Sequence, residues 1–125
     1  MSITLSFVAS PPGFAPALDF ALEVLEGTDG LFALSAEDSE LRLFVLDAAV
    51  HAPQYHPQIT EEQEELLGLV DPADALVLLV AKPSDEGVRV NLLAPIVVNG
   101  RDGRSAQLIL DHGDWPVSAS LPLAV

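Results

Sequence analysis

The chain contains no cysteine. This absence excludes disulfides, thiolate metal sites and cysteine nucleophiles, and it agrees with a reducing compartment. The sequence also has no apolar run near the roughly 20 residues that span a bilayer, and its N-terminus has neither the basic nor the apolar region of a signal peptide. We therefore expect a cytoplasmic protein that does not contact a membrane.

Basic residues are scarce. Lysine and arginine total 5 against 19 aspartates and glutamates, which gives a formal net charge of −14. A surface of this charge repels phosphate backbones, so direct binding to nucleic acid is not expected. A basic protein would be attracted by the same field. The alternative is an acidic surface that serves only solubility.

Side chains that could carry out catalysis or bind metal are also few. The three histidines, His51, His56 and His112, do not have the spacing of metal ligands, and surface or loop positions are the better interpretation. Serines and aspartates near His112 match no nucleophile motif. The glycines around Arg101 form no phosphate loop, because no helix signal follows them. The sequence therefore predicts no catalytic residue, no cofactor and no metal.

What the sequence does contain is a series of short apolar segments separated by turn residues. Half of the 125 residues are hydrophobic, enough for one domain spanning residues 1–125. Alternating or continuous apolar patterns predict strands at 3–7, 18–24, 31–35, 41–46, 75–81, 88–93, 96–98, 105–110 and 115–121. We therefore expect a mainly β fold, a small antiparallel β-barrel or sandwich with one or two short helices.

One helix has a clear start and stop. Thr60 to Gln63 has the form of a capping box, and Gly68 is a plausible end about two turns later. The buried contacts of this helix are predicted to be Leu66, Leu67 and Leu69. The carboxylates of Glu61, Glu62, Glu64 and Glu65 form an acidic cluster that can either dock a basic partner or remain a solvated helix face.

The segment from Ala48 to Gln58 has no regular period, and we expect an ordered loop. Tyr55 lies in this loop between Pro53 and Pro57. It is a candidate aromatic anchor for a partner, although packing of the loop onto the barrel explains it equally well.

The stretch 88–110 is predicted to organise the fold. Pro95 has no N–H to donate, so Ala94-Pro95 should form a bend, a bulge or the start of a strand. The Asn91 side chain can hydrogen-bond to backbone groups near this break. We expect the role of Asn91 and Pro95 to be mainly structural, with the bend between them also shaping a candidate interaction surface. The glycine dipeptides that begin at Asn99 and Asp102 predict a connection of two residues, or of about five with a bulge.

These residues carry a resemblance. NLLAPIVVN at 91–99, followed by AQLIL at 106–110, is similar to the signature of the bacterial flagellar assembly factor FliW family. The matches extend over nearly the whole chain: Pro12-Gly13-Phe14, the Leu34-Ser35 strand end and the loop at Pro53 to Tyr55 before the acidic helix. Ser10-Pro11 stands where the family usually has a glycine and a leucine.

The resemblance implies a small β-barrel-like protein that acts by binding and does not catalyse a reaction. Members of the family bind the translational regulator CsrA and block its repression of flagellin mRNA, while flagellin competes by sequestering FliW. The expected partners are therefore a basic, CsrA-type RNA-binding regulator and flagellin. Competitive and allosteric inhibition of CsrA both stay open. The rival hypothesis is a small-molecule-binding β-barrel or an enzyme of unknown substrate.

Overall fold

The computed structural model describes residues 2–10, 17–27, 29–37, 42–53, 55–84, 87–110, 115–116 and 118–121. Within these ranges the strands are β1 (Ser2–Phe7), β2 (Asp19–Val24), β3 (Leu31–Ala36), β4 (Arg42–Asp47), β5 (Ala75–Ser84), β6 (Gly87–Val90), β7 (Ile96–Asn99), β8 (Arg104–Gln107) and β9 (Ala119–Leu121). The helices are α1 (Ala48–His51) and α2 (Glu61–Leu67), with a 3₁₀ turn at Pro72–Asp74.

Seven of the described strands close into a barrel. Strands β1 to β4 form an antiparallel meander, β4 pairs with β5, and β7 and β8 continue the sheet from β5. A short parallel pairing of β8 with β1, Ser6 opposite Arg104 and Phe7 opposite Ser105, closes the ring. Strands β6 and β9 extend from one end of β5, with β9 at the edge. The predicted mainly β barrel is confirmed, and so is the edge position of the last strand.

The barrel interior is filled by apolar side chains from strands β1 to β5 and β7. Its buried residues are Leu5, Phe7, Phe20, Leu22, Leu34, Ala36, Val45, Leu78, Ile96 and Val98. They alternate along each strand, as a sheet with one face in the core requires. The predicted apolar face of the second strand is only partly buried, because Leu18 and Val24 at its two ends are 45% and 54% exposed.

Strands β5 and β7 are covered on both faces. Leu78 points into the barrel, while Leu79 points outward into a second cluster with Leu46, Tyr55 and Val90. Val97 of β7 points outward into a third cluster, beneath α2. A strand that is buried on both faces has a continuous apolar run instead of an alternating one, which explains the sequence of β5.

The predicted loop at 48–58 is partly wrong, because it begins with the short helix α1. Asp47 caps this helix, and its Oδ1 accepts from the Ala49 N–H at 3.0 Å. His51 is correspondingly not a surface or loop residue: it is 7% exposed, and its Nε2 donates to the carbonyl of Asp29 at 2.7 Å. This bond ties α1 to the β2–β3 turn.

The chain bulges between β6 and β7, which both pair with the same edge of β5. From Val90 to Ile96 the chain advances by six residues, while β5 advances by three, from Ala81 to Leu78. The three additional residues leave the ladder. We call residues 91–95 the proline bulge. The predicted interruption at Ala94-Pro95 is confirmed, and the next strand begins just after the proline.

Several predicted boundaries differ. Strand β6 ends at Val90 instead of residue 93, β8 ends at Gln107 instead of residue 110, and β9 begins at Ala119 instead of residue 115. Strand β5 continues through Lys82 and Pro83 to Ser84, where the sequence predicted a connection, because β6 pairs with this extension. The β7–β8 connection consists of residues 100–103 and is the longer of the two alternatives. Gly103 has φ +82°, and a Cβ there would lie 2.7 Å from the carbonyl oxygen of Thr4, so glycine is required.

Two groups of predicted features, the Pro12-Gly13-Phe14 motif and the turn at 111–114 with His112, lie outside the described residues. In the part of the chain that the structure describes, no helix is both long and apolar enough to cross a membrane.

Candidate protein-binding site

The acidic helix α2 forms for local reasons. The Thr60 hydroxyl accepts from the Gln63 N–H at 3.1 Å, and the Gln63 amide oxygen accepts from the Thr60 N–H at 2.9 Å. This reciprocal pair is the predicted capping box, and it satisfies two N–H groups that a helix start leaves without partners. Glu61 and Glu62 follow in the first turn, where the helix dipole stabilises negative charge.

The C-terminal end of α2 is held by the barrel. Gly68 has φ +67° and ψ +24°, the left-handed conformation of the predicted helix stop. The Nδ2 of Asn99, which is 2% exposed, donates to the carbonyls of Leu67 and Gly68 at 3.0 and 3.2 Å. The Asn99-Gly100 dipeptide predicts only a turn at this position. Its bond to a helix more than thirty residues earlier has no sequence signal.

The carboxylates of α2 form an accessible surface. Glu61, Glu62 and Glu65 are exposed, whereas Leu67 is fully buried beneath them. The prediction for Leu66 is wrong: it is 50% exposed, because only the next residue of the helix faces the barrel. The α2 surface, defined as Glu61, Glu62, Glu65 and Leu66, is therefore acidic with one apolar side chain.

Tyr55 lies in the second apolar cluster, on the outward face of β5. It is 9% exposed, and its ring contacts Trp115 edge-on with centroids 4.8 Å apart. Its hydroxyl donates to the carbonyl of Leu92 at 2.5 Å. The tyrosine therefore fastens the loop after α1 to the proline bulge. The role of Tyr55 in partner binding stays a prediction, and its packing role is visible in these contacts.

The backbone groups of the proline bulge form hydrogen bonds with the Asn91 side chain and with neighbouring segments of the chain. The donor pairs are Asn91 N–H to Val80 O at 3.1 Å, Leu92 N–H to Pro116 O at 3.1 Å, and Leu93 and Ala94 N–H to Asn91 Oδ1 at 3.0 and 3.1 Å. Pro95 has no N–H. The carbonyls of residues 92–95 accept, in order, from the Tyr55 hydroxyl, Leu110 N–H, Gln107 Nε2 and Leu108 N–H. The bulge is thus a junction of four chain segments.

The six predicted site residues fall into two groups. Tyr55, Asn91 and Pro95 come together at the proline bulge. The carbonyls of Leu92 and Pro95 and the side-chain oxygen of Asn91 accept hydrogen bonds from other groups of the same chain. Glu61, Glu62 and Glu65 lie on α2, above a separate apolar cluster that contains Leu67. Only the second group is exposed.

Tyr55 is the only tyrosine of the chain, so its ionisation can be measured directly. Burial raises its pKa from 10.0 to about 12. The folded state holds the proton more tightly than the unfolded state. The resulting stabilisation is therefore present below pH 10 and is lost as the pH rises from 10 to 12. Titration of phenolate absorbance should give a midpoint near 12 for the folded protein.

The Tyr55→Phe variant should show no phenolate transition and should lose that part of the alkaline destabilisation. A folded-state midpoint near 10, the ordinary pKa of a tyrosine in water, would mean that the hydroxyl is solvated and not held in the bulge.

The family described as FliW protein matches residues 2–121. The chain belongs to the FliW family. Two relatives called flagellar assembly factor FliW support the assignment. The protein from Azoarcus sp. (strain BH72) is 29% identical over 117 residues, which cover 86% of this chain and 80% of the relative. The protein from Thermotoga neapolitana is 33% identical over 108 residues, which cover 83% and 72%.

The FliW fold is also shared. A solved structure described as the flagellar assembly factor FliW superposes with a TM-score of 0.85, at 22% identity, over 93% of this chain and 83% of the solved chain. At this identity the likeness shows the fold alone. The resemblance first seen in NLLAPIVVN is confirmed at the level of family and fold, and that segment is the proline bulge followed by β7.

Proposed function

We propose that this FliW-family chain is a non-enzymatic, cytoplasmic flagellar assembly factor that acts by binding other proteins. It binds flagellin and antagonises a CsrA-type regulator, which relieves repression of flagellin mRNA translation. The observation that carries the proposal is the family match over residues 2–121, together with relatives named as flagellar assembly factors.

The charge distribution supports binding to a basic partner. The net charge is −14, and α2 presents three exposed carboxylates next to the half-exposed Leu66. A CsrA-type protein has a basic RNA-binding surface, so its encounter with this chain is electrostatically favoured. The apolar filling of the barrel interior favours this proposal over the alternative of a small-molecule-binding barrel.

Reversing the charge of α2 should weaken the complex with the CsrA-type regulator. In the triple variant Glu61→Lys, Glu62→Lys and Glu65→Lys, we expect the dissociation constant to rise by about tenfold or more, mainly through slower association. Calorimetric titration and stopped-flow association, each at low and moderate salt, measure this effect. The melting temperature should change little, because all three side chains are exposed.

The matched control reverses Asp19, Glu23 and Glu26, which are exposed on and just after β2. This control variant has the same net charge as the α2 variant. Comparing the affinities of the two variants therefore distinguishes a local binding site on α2 from an effect of the overall charge. Equal weakening by both variants would assign the effect to overall charge. Unchanged affinity in the α2 variant would place the regulator's site elsewhere. If the parent protein binds neither flagellin nor the regulator, the proposed function is contradicted.

A further inference from the structure

One edge of β5 lacks a strand neighbour along three residues. Residues Ala75 to Leu78 pair with β7 on one side. On the other side β4 reaches β5 only at the pair of Asp47 with Leu78, because the chain then turns into α1. Among the described strands, residues 75–77 are therefore paired on one edge only. We call this segment the open edge.

The hydrogen-bond pattern shows which backbone groups face the open edge. The Gly100 N–H donates to the Asp74 carbonyl at 2.8 Å, which continues the β5–β7 ladder by one pair. Hydrogen-bonded and non-hydrogen-bonded pairs alternate along an antiparallel ladder. Leu76 therefore bonds to β7, while the backbone groups of Ala75 and Val77 point away from β7. In a parallel pairing, one residue of an added strand can donate to the Ala75 carbonyl and accept from the Val77 N–H.

A groove lies beside the open edge. A cavity of about 320 Å³ is bounded by residues 75–77 on one side and by Ala49, Ala52 and Pro53 on the other. A second cavity of about 250 Å³ shares Ala75 and continues towards Ile59 and Leu69. Both linings are mostly small or apolar, so the groove can accept apolar side chains of an extended chain.

The charges of the groove are of one sign. Asp47 lines the first cavity and Glu64 lines the second, and neither described lining contains lysine or arginine. The surrounding chain has 19 acidic and 5 basic residues. A segment that enters this groove is therefore attracted if it carries basic residues and repelled if it carries acidic ones.

We propose that the open edge and its groove dock an extended, basic segment of a partner protein, which pairs with β5 as an added strand. Main-chain bonds to Ala75 and Val77 give affinity, and alternate apolar side chains enter the groove. Basic side chains between them face the acidic surroundings. This inference rests on the proposed function only in that the occupant belongs to a binding partner. It concerns a surface separate from the α2 carboxylates Glu61, Glu62 and Glu65.

Three synthetic peptides test the chemistry of the occupant. The probe is a labelled heptapeptide that alternates lysine and valine, with blocked termini, and its binding is followed by fluorescence anisotropy. The second peptide has glutamate in place of lysine. The third keeps the lysines but has N-methylated valines, which cannot donate strand hydrogen bonds. We expect saturable binding of the first peptide and at least about tenfold weaker binding of the other two.

Two matched variants test the location. Ala49→Trp fills the mouth of the groove, and Ala73→Trp adds the same bulk outside it. Both alanines are exposed, and each N–H is bonded to an aspartate two residues earlier, Asp47 at 3.0 Å and Asp71 at 2.9 Å. We expect Ala49→Trp to weaken binding of the lysine peptide by about tenfold or more and Ala73→Trp to leave it unchanged.

Three results would overturn the inference: no binding of the lysine peptide, equal binding of its N-methylated form, or equal affinity of the two tryptophan variants. Sedimentation of the parent chain tests a second copy as the occupant. A dimer that Ala49→Trp dissociates would replace the proposed basic segment with a second copy of this chain. Binding of flagellin and the regulator is measured in parallel, so the proposed function can stand while this inference fails.

Discussion

Replacing Ile96 by alanine should reduce the free energy of unfolding by about 2–5 kcal/mol. Ile96 is the first residue of β7, is fully buried, and packs in the barrel interior. The substitution removes three carbons from a site that is surrounded by strands, so the cavity cannot collapse easily. Such a loss is a large part of the stability of an ordinary domain. Chemical denaturation of the parent and the variant measures it.

Ile109→Ala is the matched control, because the same atoms are removed from a side chain that is 65% exposed. We expect a change within about 0.5 kcal/mol. A similar loss in the two variants would contradict the assigned barrel interior. The loss of stability in Leu92→Ala should lie between these two values, since Leu92 is half-buried and packs against the second apolar cluster.

Replacing Asn91 by alanine should cost about 1–3 kcal/mol of stability, and partner binding should fall with it. The Asn91 Oδ1 accepts from the N–H groups of Leu93 and Ala94, and alanine leaves both donors without this acceptor. The proline bulge would then lose the geometry that directs its carbonyls to Tyr55 and Gln107. Thermal unfolding and titration with flagellin and the regulator measure the two effects.

Asn91→Asp separates the alternatives. Aspartate keeps an oxygen acceptor at the same place, so it should recover most of the stability that alanine loses. If Asn91→Ala abolishes partner binding while the melting temperature stays unchanged, the asparagine is a recognition residue and the scaffold interpretation is wrong. Joint loss in Asn91→Ala and joint recovery in Asn91→Asp support the scaffold role.

The proline bulge also explains why a family signature can be mostly structural. Each donor from Asn91 to Ala94 and each carbonyl from Leu92 to Pro95 has a partner inside the chain. A residue that is used in this way is constrained by the barrel even if no partner touches it. Surfaces that remain available for partners, the α2 surface and the open edge, lie outside this segment.

Features with short-range causes were predictable from the sequence. The capping box needs only the hydroxyl of Thr60 and the amide of Gln63, three residues apart, and the stop needs only a glycine that can adopt positive φ. The interruption at Pro95 follows from its missing N–H. The continuous apolar run at 75–81 predicted a strand there. Each of these signals lies within a few neighbouring residues.

Features that depend on distant partners could be read only from the tertiary structure. Asn99 reaches α2 because β7 places it beneath the end of the helix, and His51 is buried because α1 packs against the β2–β3 turn. Leu66 is exposed because the barrel meets only one side of α2. The open edge exists because the pairing of β4 with β5 stops at Leu78, where the chain turns into α1, whereas the pairing of β7 with β5 extends three residues further, to Ala75. No local pattern encodes that offset, since it is set by the register of strands that are far apart in the chain.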